Sequence, residues 1–163
     1  MFPSPTTSAP TTSGGLVVRT RVGDGLLVGA AAAGIGGGAW WAIAAFGQFE
    51  QWHYASAVLG LLVGFGVILG ARRGGPVPAI IAFVLASVAM VVCVYLIDRS
   101  LQIAALEDAG ITSAIPLWSG FSAAREVISG WVDVAPEKAA GWLLAPLIAA
   151  IVAGRPSSRP ALD

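Results

Sequence analysis

Apolar residues in this chain run on without the alternation of a half-buried strand. Four runs stand out, residues 25–46, 54–71, 76–97 and 139–154, and none holds an Asp, Glu, Lys or Arg. The hydrocarbon core of a bilayer is about 30 Å thick and a helix rises about 1.5 Å per residue, so one crossing takes about 20 apolar residues. Lipid offers no partner to backbone N–H and C=O groups, so each run must satisfy its own as a helix. The lack of alternation argues against the strands of a membrane β-barrel. The pattern therefore predicts four spans. The fourth run is the shortest, and a re-entrant segment is its other reading.

Boundary signals agree with these runs. Gly74-Gly75-Pro76 breaks the chain and sets a proline at the start of span three. Asp133, Pro136 and Glu137 read as a helix start before span four. Pro146, inside that span, is expected to free a backbone carbonyl and kink the helix. Between spans three and four, Arg99 to Ala109 continues span three, with Gly110 as its stop. Pro116 to Val132 reads as an amphipathic helix. At about 100° per residue, Leu117, Phe121, Ala124, Val127, Ile128 and Trp131 share one arc, with Ser119, Ser122, Arg125, Glu126, Ser129 and Asp133 opposite.

Charge placement adds an orientation. The N-terminal segment (Arg19, Arg21), the connection between spans two and three (Arg72, Arg73) and the C-terminal tail (Arg155, Arg159) hold six of the nine basic residues. With four spans these segments share one side. Residues 98–138, on the other side, hold six acids against three bases. The excess of arginine predicts that both termini are cytoplasmic. The expected layout is a disordered cytoplasmic tail over 1–21, a transmembrane domain over 22–154 with outer segment 98–138, and a cytoplasmic tail over 155–163. The first span is too long and its basic region too far from the start for a cleaved signal peptide.

Composition narrows the chemistry. Of 163 residues, 56% are hydrophobic and 11% charged, against about 25% charged in a typical soluble domain. Nine basic and nine acidic residues cancel, which argues against a nucleic-acid binder working through a basic surface. A single cysteine excludes an internal disulfide or a paired-cysteine redox motif, and Cys93 reads as a buried small apolar side chain. The span interiors lack the ionisable residue of a proton-coupled transporter. Glu50, Gln51 and His53 cluster in the first outer loop, where interfacial anchoring competes with an acid/base or metal role. Ser119-Gly120-Phe121-Ser122 superficially resembles a protease loop but has no placed base to activate a serine. No catalytic residue, cofactor or metal site is expected.

Two features point to contacts instead. Gly25/Gly29 and Gly34/Gly38 in span one, and Gly60/Gly64 and Gly66/Gly70 in span two, each form GxxxG. Small residues four apart let helix backbones approach closely, and such packing drives association in lipid. The contact is either with a partner or another copy, or a hairpin of spans one and two. All six tryptophans (Trp40, Trp41, Trp52, Trp118, Trp131 and Trp142) map to the outer side. They read as an aromatic belt at the headgroups or as a docking surface.

Gly47-Gln48-Phe49-Glu50-Gln51-Trp52, followed by Gly60-Leu61-Leu62-Val63-Gly64-Phe65-Gly66-Val67, resembles a loose group of small uncharacterised bacterial four-span membrane proteins with a glycine-rich second helix. The resemblance covers roughly residues 25–97 and implies a bacterial cell (inner) membrane, without an activity to carry over. The sequence thus predicts an all-α four-helix membrane bundle with an amphipathic helix in the outer loop. Its expected role is that of a non-catalytic accessory or scaffold component, set in the lipid bilayer and packed against another membrane protein or itself. The residues expected to carry helix packing or partner contact are Gly60, Gly64, Gly66, Gly70, Trp118, Phe121 and Trp131. A small self-assembling transporter or pore is the alternative, and an enzyme using the Glu50/His53 loop a weaker third.

Overall fold

The computed structural model describes residues 21–47, 55–111 and 115–156. Helix makes up 86% of them, and no strand occurs among them. In chain order the helices are α1 (Val22–Gly47), α2 (Ala55–Ala71), α3 (Pro76–Asp108), α4 (Phe121–Val134), α5 (Pro136–Trp142) and α6 (Leu144–Gly154). Three are long and apolar enough to cross a membrane: α1, α3, and α5 with α6 taken as one 19-residue rod. The α2 helix is apolar throughout but has 17 residues, about 26 Å at 1.5 Å per residue. The expectation that the fourth run is the short one is therefore reversed, because the helix before it starts three residues earlier, at Pro136. The expected N-terminal tail, the Glu50-Gln51-His53 cluster, Trp52, Arg19 and Arg159 lie outside the described residues.

Local chemistry explains the breaks. Arg72 takes a left-handed φ of 58°, Gly75 a φ of 152°, and Pro76 opens α3 in its first turn, where a missing N–H costs nothing. At the far end of α3, Gly110 has φ 74°. Its N–H donates to the Glu107 carbonyl at 2.9 Å, and the Ile111 N–H donates to Leu106 at 2.9 Å. This pair of bonds is the Schellman motif, which uses glycine's left-handed freedom to satisfy the last carbonyls. The helical hydrogen-bond ladder is interrupted at Leu143, three residues before Pro146: its φ of −65° and ψ of −15° stay right-handed helical, but its N–H bonds Ala140 at 3.2 Å. Pro146 has no N–H for the carbonyl four residues back, and its ring crowds that carbonyl.

Two expectations are corrected here. The segment expected as a helix from Pro116 forms one only from Phe121, because Gly120 sits at φ 105° and residues 116–120 are non-helical. Asp133 lies in the last turn of α4 rather than capping the next helix. Ala135 precedes Pro136, without a side-chain cap.

The helices pack in the order α1, α2, α6, α3 and back to α1, with α2 and α3 also meeting across the middle. Much of what they bury is small, beside Leu59, Val63 and Val67. Ala82 and Ala86 of α3 and Ala145, Ala149 and Ala153 of α6 are wholly buried, at intervals of four residues. From α1, Gly25, Gly29, Ala33, Gly36 and Gly37 point inward. What they expose is large: Leu27 (71%), Ile35 (74%), Leu69 (72%), Ile80 (64%) and Ile151 (60%). A water-soluble monomer seldom exposes contiguous apolar patches beyond a few hundred Å². Small residues inside and large apolar ones outside is the arrangement expected where lipid replaces water and helices cohere by close contact.

Candidate functional site

The glycines of α2 serve two different neighbours. A Cβ on Gly66 would meet the Ala32 Cβ at 2.8 Å and the Val28 carbonyl at 3.1 Å. On Gly70 it would overlap the Asp24 carbonyl. These two glycines form the expected hairpin with α1, answered from α1 by Gly25 and Gly29 against Ala71 and Val67. Gly60 and Gly64 face elsewhere. Gly60 abuts the Ala145 carbonyl of α6, and a Cβ on Gly64 would lie 2.9 Å from both the Ala149 carbonyl and Val152 Cβ. All four glycines are thus filled from within the chain, Gly60 and Gly64 by α6 rather than by α1. A Cβ on Gly34 or Gly38 of α1 would meet nothing within 4 Å beyond its own helix.

Beside this seam sits Ser56, fully buried, one turn before Gly60. Its hydroxyl donates to the Gly141 carbonyl at 2.8 Å. That carbonyl lies in the last turn of α5, beside the interruption at Leu143. The serine therefore ties α2 to the place where the rod breaks, supplying a side-chain donor where the helical ladder is disturbed. Cys93 is buried near Gly37, whose Cβ would lie 2.7 Å from its Sγ.

At the other end of α3 the contacts change character. Tyr95 is buried, and its phenolic oxygen accepts the Ser119 N–H at 3.1 Å. Arg99 donates from Nε to the Pro116 carbonyl at 3.2 Å. Together these fasten the non-helical segment 115–120 onto α3. Trp118 stands edge-on to Tyr95 with ring centroids 5.0 Å apart, and Phe121 edge-on to Trp118 at 5.3 Å. Edge-to-face geometry of this kind is favoured by the ring quadrupoles.

Asp98, one turn beyond Tyr95, accepts from Trp131 Nε1 at 3.1 Å and from Gln102 Nε2 at 2.7 Å. Trp131 also meets Trp142 edge-on at 6.1 Å, and Lys138 Nζ lies 5.6 Å from its ring centre. Its contacts thus link α3, α4 and α5. Between α3 and α4 an open cleft of about 420 Å³ is lined by Asp98, Gln102, Glu126, Val127, Trp131 and Val134, among others.

Among the aromatics singled out from sequence, Trp118 (41% exposed) and Phe121 (65% exposed) lie together on the surface. Trp131 does not join them; it is half-buried and turned into the structure. The belt reading fails for Trp40 and Trp142, which are buried. Trp41 is half-buried and donates from Nε1 to Ser100 Oγ at 3.0 Å, tying α1 to α3. Sequence reasoning placed Tyr95 on the outer side with the tryptophans but missed what it holds, and missed Asp98. The signal available was Asp98 and Gln102 four residues apart at the point where α3 turns from apolar to polar. No protein-family model, curated protein or solved structure matches the chain.

Proposed function

We propose that this chain is a multi-pass protein of the bacterial cell membrane that works as a non-catalytic accessory or scaffold component. In this reading α1, α2, α3 and the α5–α6 rod make four crossings, and α2 spans by drawing on its flanking residues or on a thinned bilayer. Both termini face the cytoplasm. The turn after α2 and the end of α6 lie on that side, and α4 caps the bundle outside as an amphipathic helix. Its half-buried Val127, Ile128 and Trp131 and exposed Ser122, Arg125, Glu126 and Ser129 support the last point. The bacterial inner membrane is carried by the resemblance noted above.

The observation that carries the partner reading is the exposed pair Trp118 and Phe121, packed edge-to-face on each other, with Trp118 edge-on to Tyr95. Rigid aromatics of this kind anchor interfaces, because they bury much area for little conformational entropy. The glycine grooves of α2 drop out as partner sites, since α1 and α6 fill them. Purification of the full chain in mild detergent is expected to yield either a second membrane protein or a homo-oligomer. Trp118→Ala with Phe121→Ala is expected to release it. A wild-type chain that runs alone and monomeric contradicts the proposal. Ion flux from liposomes holding the protein would replace it with the self-assembled pore.

A further inference from the structure

The fold gathers three arginines from two distant parts of the sequence. Arg72 and Arg73 lie in the turn between α2 and α3, and Arg155 directly follows α6. Gly74 abuts the Arg155 carbonyl so closely that a Cβ would overlap it, and the Gly75 N–H donates to the Ala153 carbonyl at 3.0 Å. The two segments are therefore in backbone contact, and the three guanidinium-bearing residues share one small patch. All three are exposed. Among the described residues, the acid at this end of the bundle, Asp24, pairs with Arg21 at 3.5 Å, and no ion pair engages the three arginines. Arg72 also holds a left-handed φ of 58°, where glycine or asparagine would sit without strain.

Beside the arginines, on the lipid-facing surface, Leu69, Val77, Ile80 and Ile151 are exposed. The patch thus offers guanidinium forks for phosphate oxygens and, next to them, an apolar wall for an acyl chain. We infer that this corner of α2, α3 and α6 binds the headgroup of an anionic phospholipid in the adjoining leaflet. The apolar wall favours a lipid over a free phosphate ion. The inference rests on the bilayer placement proposed above.

The test uses the full-length protein in detergent micelles mixed with phosphatidylglycerol, phosphatidylcholine or inorganic phosphate, with retained lipid read by native mass spectrometry. Phosphatidylglycerol is expected to be retained at least about fivefold over phosphatidylcholine, the gain one surface arginine typically gives toward an anionic membrane. Arg73→Gln and Arg155→Gln are each expected to lower that preference, and Arg125→Gln, on α4, to leave it unchanged. Equal retention of the two lipids would overturn the inference. So would an Arg125→Gln effect as large as that of Arg155→Gln, or displacement of the lipid by millimolar phosphate. Flotation with vesicles of phosphatidylcholine alone checks bilayer placement separately, so loss of headgroup preference with flotation intact removes only the lipid site.

Discussion

The contact seam of α1, α2 and α6 and the aromatic cap at the far end of α3 are held by different forces. In the seam, backbone meets backbone. Gly60 lies against the Ala145 carbonyl, Gly70 against the Asp24 carbonyl, and Gly25 against the Val67 carbonyl. In the cap, side chains make the polar bonds: Tyr95 accepts from the Ser119 backbone N–H, Asp98 accepts from Trp131 and Gln102, and Arg99 donates to the Pro116 carbonyl. In lipid, burying one more methylene gains little over leaving it in the acyl chains, so cohesion depends on close approach. Near water, a larger ring with a polar edge gains from both burial and hydrogen bonding. The change of cement along α3, from Ala82 and Ala86 to Tyr95 and Asp98, follows the change of medium that the sequence predicts.

The contrast is broken most severely by filling the seam. Gly60→Leu should drive a side chain into the Ala145 carbonyl and cost about 3 kcal/mol or more, read as thermal unfolding in detergent. Gly34→Leu, on the same kind of motif but in open space, should shift stability by no more than about 0.5 kcal/mol. Equal effects at the two positions would mean that close approach does not hold the seam. A medium effect is expected in the cap. Trp131→Phe keeps an aromatic six-membered ring but loses the pyrrole ring and its N–H to Asp98 at 3.1 Å, at a cost of about 1.5 kcal/mol or more. Trp131→Ala should cost more, since the edge contact with Trp142 goes too. A smaller loss than in the cap should come from Ser56→Ala, which removes the donor to Gly141, a bond of the interhelical kind worth about 0.6 kcal/mol in lipid. An effect larger than that of Trp131→Phe would place the polar cement in the seam and not in the cap.

The seam was more legible in the sequence than the cap, for a physical reason. Uncharged runs and glycines four apart are periodic signals, and Gly66/Gly70 against α1 follows from a short connection between adjacent helices. That Gly60/Gly64 would meet α6 did not follow. The partner lies 85 residues further on at Ala145, and four-residue spacing says only that a face is smooth. Pro146 announced the interruption that appears at Leu143, and Gly110 the end of α3. The cap depends on a non-helical segment, 115–120, whose position is set by single side-chain bonds from Tyr95 and Arg99. Periodicity carries no information about such bonds. It also misled at Leu117, placed on a helical arc though Gly120 at φ 105° keeps the helix from starting before Phe121.

The central claim is that the Arg72–Arg73 turn and the Tyr95–Trp118 cap lie on opposite faces of a bilayer. It is tested most directly by labelling intact cells with a membrane-impermeant maleimide. The variants are Arg73→Cys and Ser122→Cys, each in a Cys93→Ala background. Ser122→Cys should label in intact cells, and Arg73→Cys only after permeabilisation. Labelling of both positions from outside would contradict the account.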